Sequence, residues 1–285
     1  MKTIKPLGVV ALLGLLLLSL SSTAAEPRVS VQLWSVKHEL AADFTGTLKK
    51  LAELGFDGVE FAGHFGPYAD NPEGLRTLLN ELGLEASGAH VGADQLGPDN
   101  IYKTIAFYKT LGTDFVVVPY DTRAFSDEGI EALIAELNAA AKTLAGYGMR
   151  TGYHNHAQEF GDYQNATYWD YLANNTPDNV ILQLDVGWTT VAGKDAEAYI
   201  RQYPERTLSS HIKAGLPEGA EDKKPLIGQD VIDWRTVITA LKEVGGTQWL
   251  VLEQEEYPDG LTPLEAVEVS MQGLQEILSD LQATP

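Results

Sequence analysis

Short apolar runs rich in β-branched residues alternate along the chain with segments whose apolar residues recur at helical spacing. The first kind is typical of buried strands and the second of amphipathic helices. From Val29 onward the pattern predicts eight strands, each followed by a helical segment. The predicted strands are 29–35, 58–62, 85–91, 114–120, 149–156, 180–188, 207–214 and 249–255.

The helical segments carry their own start and stop signals. Glycines that suit a left-handed helix C-cap precede several predicted strands; these are Gly55, Gly83, Gly112, Gly148 and Gly245. Ser126, followed by two acidic residues, predicts the start of the fourth helix, and Thr262 with Pro263 predicts the start of a final helix over 263–281. Helices between successive strands are the crossovers that a parallel sheet needs.

Eight β/α units without a flexible linker predict an α/β fold of the closed (β/α)8 class, a TIM barrel, as a single domain over residues 26–285. The alternative is a doubly wound open sheet. Such a sheet normally carries a glycine-rich phosphate turn after its first strand. The residues after strand 29–35 contain no such turn, which favours the barrel.

The first 25 residues predict a secretory signal peptide. Lys2 and Lys5 precede an apolar run over 7–20, and small residues follow at 22–25. An uncleaved anchor is the competing interpretation, but the run is short for a membrane span. We therefore expect a periplasmic or secreted protein without stable membrane anchoring, and the absence of cysteine excludes disulfides.

The net negative charge of the chain disfavours one class of partner. Its net charge is −20, and the signal segment holds two lysines and no acid, so the mature protein would carry −22. A surface of this sign repels nucleic acid. We therefore expect no nucleic-acid partner, although such a charge is also what a soluble exported protein commonly has.

Four metal-capable side chains lie near the carboxyl ends of the last four predicted strands: His154, Asp185, His211 and Glu253. In a barrel those ends share one face with the active site. A mixed nitrogen and oxygen set suits Mn, Co, Fe, Zn or Ni better than Ca. Four protein ligands leave two coordination positions for substrate oxygens, which is typical of a catalytic site.

Other side chains lie near the same face and have two interpretations each. Glu60 and His90 either bind substrate or pair with each other or with Lys37. Trp34 and Trp188 either stack on a sugar or belong to the core. Lys213 shares the inward face of His211 and either stabilises an oxyanion or pairs with an acidic ligand. The irregular stretch 215–233 is long enough to act as a lid.

Five motifs resemble the xylose isomerase-like TIM-barrel family of sugar phosphate isomerases and epimerases. They are ELGFDGVEF, YHNH, LDVGW, HIK and VLEQ, and the resemblance spans the predicted mature chain. The resemblance implies one divalent metal ion (Mn, Co, Zn or Mg) bound by His154, Asp185, His211 and Glu253. Related keto-sugar epimerases have Glu at the first of these positions and use two facing glutamates, whereas this chain has His154.

That departure argues against symmetric epimerisation and favours one-sided proton abstraction. The resemblance implies a metal-dependent isomerase or epimerase that acts on a keto-sugar through an enediolate, with Glu253, His156 and Lys213 as catalytic residues. The same intermediate can expel a β-leaving group, so a lyase on exported 3-keto-glycosides is an alternative. A non-catalytic sugar-binding barrel is another, while a DNA-cutting relative conflicts with the acidic charge. In each reading the partner is a small carbohydrate, and the sequence gives no oligomeric state.

Overall fold

A computed structural model describes residues 26–220 and 222–283, and these residues form a barrel of eight parallel strands. The strands, numbered in chain order, are β1 Arg28–Gln32, β2 Gly58–Phe61, β3 Glu85–His90, β4 Phe115–Val118, β5 Arg150–His154, β6 Ile181–Gln183, β7 Ser209–Ile212 and β8 Trp249–Leu252. A short antiparallel hairpin, Asp162–Tyr163 with Ala166–Thr167, follows β5.

Helices cover the outside of the barrel. They are α1 Lys37–Ala42, α2 Phe44–Glu53, α3 Pro72–Leu82, α4 Ile101–Leu111, α5 Ile130–Ala145, α6 Tyr168–Asn174, α7 Val186–Val191, α8 Ala196–Gln202, α9 Trp234–Glu243 and α10 Pro263–Ala283. Their apolar faces pack on the strands to form one large core. Because each helix can bury only one face, the strand side of the helix carries the leucines and isoleucines.

The sheet closes on itself between its first and last strands and between β6 and β7. β1 pairs with both β2 and β8. Between β6 and β7, the Leu182 amide donates to Arg206 O at 2.9 Å and the His211 amide donates to Leu184 O at 2.9 Å. An isolated parallel bridge between Asp185 and His211 completes the ring. The predicted TIM barrel is thus confirmed, and the doubly wound alternative is excluded.

The strands end earlier than the sequence predicts. Trp188, predicted to end a strand, lies in α7, because the chain leaves β6 and the Asp185 carboxylate caps the helix by accepting from the Trp188 amide at 2.7 Å. Residues Leu33–Val36 form a 3-10 turn instead of extending β1. The side chains that carry the chemistry therefore lie in the first turns after the strands as well as in the strands themselves.

Two predicted helix boundaries were wrong. The helix α5 begins at Ile130 instead of after Ser126, because the Ser126 carbonyl first accepts from the amides of Gly129 and Ile130 in a separate turn. After α9 the left-handed residue is Gly246, with φ 67°, and not Gly245. The prediction of a final helix is confirmed, because α10 begins at Pro263.

The described part of the stretch 215–233, which leaves out residue 221, does not line the cavity at the barrel mouth. Leu226 and Ile227 are buried, and the Ile227 amide donates to Ser270 Oγ on α10. The Pro225 carbonyl accepts from Gln254 Nε2 at 2.8 Å. These contacts hold residues 225–227 against the final helix and the segment after β8, so the described part of the stretch does not form the predicted lid in this structure.

The predicted signal peptide, residues 1–25, lies outside the described residues. Among the helices that the structure does describe, none has the length and apolar character needed to cross a membrane.

Candidate functional site

A cavity of about 480 Å³ opens at the carboxyl ends of the strands. Five of the predicted site residues line it: Trp34, His90, His154, His156 and Glu253. The described parts of the stretch 215–233 contribute nothing to its wall. The cavity therefore lies where the active site of a barrel is expected.

The four predicted metal ligands lie together at the base of this cavity, where His154 and Glu253 line the wall and Asp185 and His211 are fully buried. Each of His154, Asp185, His211 and Glu253 offers one ligand atom, and these atoms all lie within 4.8 Å of one another. His211 Nδ1 lies 3.0 Å from Glu253 Oε2 and 3.9 Å from Asp185 Oδ2. His154 Nε2 lies 3.8 Å from the same Asp185 oxygen.

This donor set fits a divalent ion. Metal–ligand distances of about 2.1 Å place neighbouring ligand atoms about 3–3.5 Å apart, so small side-chain shifts would close these four atoms on one ion. Asp185 Oδ2 and His154 Nδ1 are both buried and have no hydrogen-bond partner. Because buried polar atoms are nearly always partnered, the unpartnered Asp185 oxygen beside two imidazoles fits a group of side chains that could bind a divalent cation.

Asp185 is held in place by its neighbours. Its Oδ1 accepts from the Trp188 amide at the start of α7, while its own amide donates to Asn155 Oδ1 at 2.9 Å. Asn155 lies between His154 and His156, so it links the end of β5 to the end of β6. Burial raises the pKa of Asp185, and the charge of Lys213 only partly opposes that rise.

The imidazoles of the site differ in charge. Burial and the neighbouring imidazole of His211 hold the pKa of His154 far below its usual range, so His154 is neutral. Burial lowers the pKa of His156 to about 4. For His211 burial acts in the same direction, but the carboxylates of Glu253 and Glu60 outweigh it and raise the pKa to about 10.

Glu253 and Lys213 form the charged edge of the site. Lys213 Nζ lies 3.7 Å from Glu253 Oε2 and forms an ion pair with Glu255. Burial would raise the pKa of Glu253, but Lys213 and His211 hold it well below its usual range. The acids around Lys213 raise its pKa in turn, despite burial, so this ammonium stays charged.

A polar layer lies beneath the four candidate ligands, on the side of β1, β2, β3 and β6. Glu60 is only 1% exposed and does not line the cavity. Its Oε2 lies 2.7 Å from His211 Nε2 and accepts from Gln32 Nε2 at 2.8 Å, while its Oε1 accepts from Gln183 Nε2 at 2.7 Å. His90 Nε2 lies 2.7 Å from Gln183 Oε1. Glu60 and His90 also lie 3.3 Å apart, as one of the two interpretations expected.

Aromatic side chains surround the mouth. Trp34 is 44% exposed, donates from Nε1 to Glu255 Oε1 at 3.1 Å, and has Lys37 Nζ 3.5 Å from its ring centroid. Trp188 lies below Lys213 and beside the His156 ring, with centroids 5.5 Å apart, but it does not line the cavity. Tyr120 lines the opposite wall against His156.

The predicted site residues therefore lie around one centre, and their assigned roles stay predictions. Four residues of the centre were given no role at the sequence level: Gln32, Gln183, Asn155 and Glu255. Gln183 precedes Asp185 by two residues, and Gln32 is the polar end of a buried strand. A polar side chain in an otherwise apolar strand was the available signal.

Comparison with known proteins agrees with this architecture. The family model described as the xylose isomerase-like TIM barrel matches residues 48–277. The inosose dehydratase of Lacticaseibacillus casei is 25% identical over 161 residues, covering 51% of this chain and 53% of that protein. The chain thus spans about half the length of the first curated relatives that it matches.

Two further relatives cover more of the chain. The inosose dehydratase of Bacillus licheniformis is 26% identical over 272 residues, covering 83% of this chain and 89% of that protein. A solved sugar phosphate isomerase/epimerase from Parabacteroides distasonis is 25% identical with a TM-score of 0.71, covering 90% of this chain and 96% of that chain.

The match to the family model begins within α2 and ends within α10, and it includes all four candidate ligands. It agrees with the barrel that the structure shows and with the motifs in the sequence. The chain belongs to the xylose isomerase-like TIM barrel family.

Proposed function

We propose that the protein is a divalent-metal-dependent isomerase or epimerase that acts on a neutral keto-sugar through an enediolate. The observation that carries this proposal is the set of four candidate ligands at the cavity floor, with Asp185 Oδ2 buried and unpartnered beside neutral His154. A site of this kind, next to a cavity of about 480 Å³ that is large enough for a small molecule, supports catalysis more than structural metal binding.

A bound ion would act as a Lewis acid that polarises the ketone and makes the neighbouring C–H more acidic. The residue best placed to take that proton is His156. Its ring lines the cavity, its Nδ1 has no hydrogen-bond partner, and the ring is unprotonated at neutral pH because burial lowers its pKa to about 4. Glu253 is less free to act as the base, because its Oε2 already lies 3.0 Å from His211 Nδ1 and 3.7 Å from Lys213 Nζ and because it belongs to the candidate ligand set.

Lys213 has a different role in this mechanism. Its ammonium is buried and charged, and it lies 3.7 Å from Oε2 of Glu253, which lines the cavity. A fixed positive charge stabilises the negative charge that develops on an enediolate oxygen. Because its pKa is raised, Lys213 holds its proton and acts through charge rather than through proton transfer.

The substrate class follows from the charges of the cavity wall. Among the described lining residues the ionisable groups are histidines and the acids Glu253 and Glu255, with no lysine or arginine. A phosphate needs cationic or amide donors. This wall therefore favours an uncharged keto-sugar or keto-glycoside, on which Trp34 and Tyr120 would stack.

A lyase is the second candidate, and two observations favour it. The curated relatives that match the chain are named inosose dehydratases, and a dehydratase eliminates water. The four-ligand set of this site holds one glutamate, Glu253, and a histidine replaces the glutamate expected at the end of β5. With His156 as the base, a proton is removed from one side of the substrate only, which suits β-elimination as well as isomerisation.

The test begins with metal analysis and turnover. Wild-type protein, loaded in turn with Mn, Co, Zn and Mg, is incubated in D2O with ketohexoses and 3-keto-glycosides, and the products are followed by NMR. Deuterium at the carbon next to the ketone, with the aglycone retained, supports the isomerase. Release of the aglycone supports the lyase.

Failure has an equally clear signature. If no metal is retained, the proposal of a metal-dependent enzyme is wrong. If metals raise only the melting temperature and no substrate turns over, the sugar-binding barrel replaces the enzyme. His156→Gln keeps the candidate ligands and is expected to lose turnover while it retains the metal.

We also propose that the mature protein is exported as residues from about position 26 onward. The support is the sequence of residues 1–25 alone. Intact mass of the protein recovered from the periplasm or medium of an expressing bacterium tests it, and retention of the full 285-residue mass would contradict it.

A further inference from the structure

Glu60 is a buried carboxylate that touches the candidate metal site from below. It lies on β2, directly beside Gln32 of β1 in the strand register, and it does not itself line the cavity. Burying a carboxylate is costly unless it is paired, and an apolar side chain of similar volume would fill this space at lower cost. Packing alone therefore does not explain why a carboxylate is buried at this position.

Hydrogen-bond directions around Glu60 are fixed by its two amide neighbours. Gln32 Oε1 accepts from the Trp34 amide, so the Gln32 NH2 group faces Glu60 and donates to Oε2. Gln183 Nε2 donates to Oε1, while Gln183 Oε1 faces the His90 ring. Both Glu60 oxygens thus act as acceptors.

The contact with His211 then determines which nitrogen of that ring carries the proton. His211 Nε2 lies 2.7 Å from Glu60 Oε2, so Nε2 must donate. The other nitrogen, Nδ1, points to the opposite side, 3.0 Å from Glu253 Oε2 and 3.9 Å from Asp185 Oδ2. The atom facing the candidate ligands is Nδ1.

We propose that Glu60 is a positioning residue that holds His211 with the proton on Nε2 and offers Nδ1 as the metal ligand. Gln32 and Gln183 hold Glu60 for this purpose. The inference rests on the metal site of the proposed function, and it is independent of the reaction that the site catalyses. Partners of this kind behind a ligating histidine typically change metal affinity by about 10- to 100-fold.

Replacement of Glu60 by glutamine tests the proposal with little change of shape. A glutamine has one oxygen and one NH2 group, so its NH2 would face one of the donors of Gln32, Gln183 or His211. We expect Glu60→Gln to weaken Zn²⁺ binding by about 10- to 100-fold in competition with a chromophoric chelator. Glu85→Gln is the matched control, because it removes an exposed carboxylate that pairs with Arg28, and it should stay within about twofold of wild type.

Far-ultraviolet circular dichroism and thermal unfolding of the metal-free proteins separate affinity from folding. Folded Glu60→Gln with wild-type Zn²⁺ affinity would overturn the inference and leave the proposed function standing. Wild-type protein that binds no Zn²⁺, Co²⁺ or Mn²⁺ would overturn both.

Should Glu60→Gln fail to fold, the wild-type protein still decides the matter. Long-range ¹H–¹⁵N correlation spectra of the Zn²⁺-saturated protein report which imidazole nitrogen is protonated. A proton on His211 Nε2, with Nδ1 shifted by the metal, supports the inference. A proton on Nδ1 refutes it.

Discussion

The two halves of the barrel mouth differ in how completely their polar atoms are partnered. On the side of β1 to β3, Gln32, Glu60 and His90 are joined with Gln183 into a network in which both Glu60 oxygens accept hydrogen bonds. On the side of β5 and β6, four buried atoms have no partner: His154 Nδ1, His156 Nδ1, Asp185 Oδ2 and Trp188 Nε1. Among the described residues seven buried side-chain atoms are orphaned in this way, so more than half belong to the site.

This difference indicates that the fully hydrogen-bonded side chains around Glu60 support the site, and that the unpartnered atoms near β5 and β6 form its binding surface. An unsatisfied buried polar group costs about 1–3 kcal/mol, so the β5–β6 half is unfavourable until a ligand fills it. The β1–β3 half is complete without any ligand. A complete network behind an incomplete one is the arrangement expected of a preorganised site, in which rigid neighbours hold the ligating atoms in place.

The largest expected effect is the loss of metal binding when Asp185 is neutralised. Asp185→Asn keeps the oxygen that caps α7 but removes the charge of the orphaned Oδ2. Residues that only hydrogen-bond to a metal ligand change metal affinity by up to roughly 100-fold, and we expect the loss of Zn²⁺ affinity in Asp185→Asn to be larger than that. The metal-free variant should be at least as stable as wild type, because burial already raises the pKa of this carboxyl.

Asp195→Asn is the matched control for this comparison. Asp195 also caps a helix, α8, by accepting from the Ala198 amide, but it is exposed and distant from the ligands. Titration calorimetry with Zn²⁺ should give the wild-type affinity. Equal affinities for Asp185→Asn and Asp195→Asn would remove Asp185 from the ligand set.

The next effect is on stability, and it concerns the complete network around Glu60, to which Gln183 of β6 also belongs. Gln183→Met keeps the volume of the side chain but removes a donor to Glu60 and the acceptor that faces His90. We expect the free energy of unfolding to fall by about 3 kcal/mol, because hydrogen bonds to charged groups are worth about 1.5–3 kcal/mol and their loss leaves buried atoms unpaired. Urea unfolding of metal-free protein measures this change in the free energy of unfolding. A loss below about 0.5 kcal/mol would contradict the view that the network around Glu60 stabilises the fold.

These two halves also differ in how far the sequence could predict them. The alternating pattern predicted eight strands, and the metal-capable residues near the strand ends predicted a common centre, because parallel strands of a barrel end on one face. Of the complete network, the sequence analysis named Glu60 and His90 and gave their pairing as one interpretation, but it missed Gln32 and Gln183. Glu60 meets Gln183 across 123 positions and His211 across 151, and no local pattern indicates which of several polar residues on different strands will pair.

Local geometry at the strand ends was also beyond the sequence. Trp188 was predicted to end a strand because its neighbours are apolar, but capping by Asp185 turns the chain into a helix there. A hydrogen bond between a side chain and a backbone amide three residues later overrides the extended pattern. For that reason the tryptophan faces Lys213 and His156 from below instead of lining the cavity.

His156 and His211 should respond to pH in opposite directions in metal-free protein. Burial lowers the pKa of His156 to about 4 from an ordinary 6.5, so between those values the unfolded chain takes up a proton that the native state lacks. Stability should therefore decrease as pH falls through this window. The pKa of His211 is raised to about 10, so its contribution is present below 6.5 and is lost as pH rises toward 10.

His156→Asn isolates the acidic limb of this profile. We expect its stability to fall less steeply than that of wild type between pH 6.5 and 4, while the alkaline limb stays unchanged. Urea midpoints over a pH series, measured with a chelator present, give both limbs. An NMR titration in which His156 gains its proton near its ordinary pKa would show that burial does not set its charge.

The smallest effect concerns the orphaned indole of the open half. Trp188→Phe keeps an aromatic ring beside His156 and removes a buried N–H that has no partner, so metal-free protein should lose little and could gain up to about 1 kcal/mol. Trp234→Phe is the contrasting variant, because the Trp234 indole is buried and donates to Asp230 at 3.0 Å. Its loss leaves that carboxylate with fewer partners and should cost about 1–2 kcal/mol. Thermal and urea unfolding of the two variants compares their stabilities. If Trp188→Phe loses more stability than Trp234→Phe, packing contacts of the Trp188 side chain, and not its hydrogen bonding, determine the stability of this region.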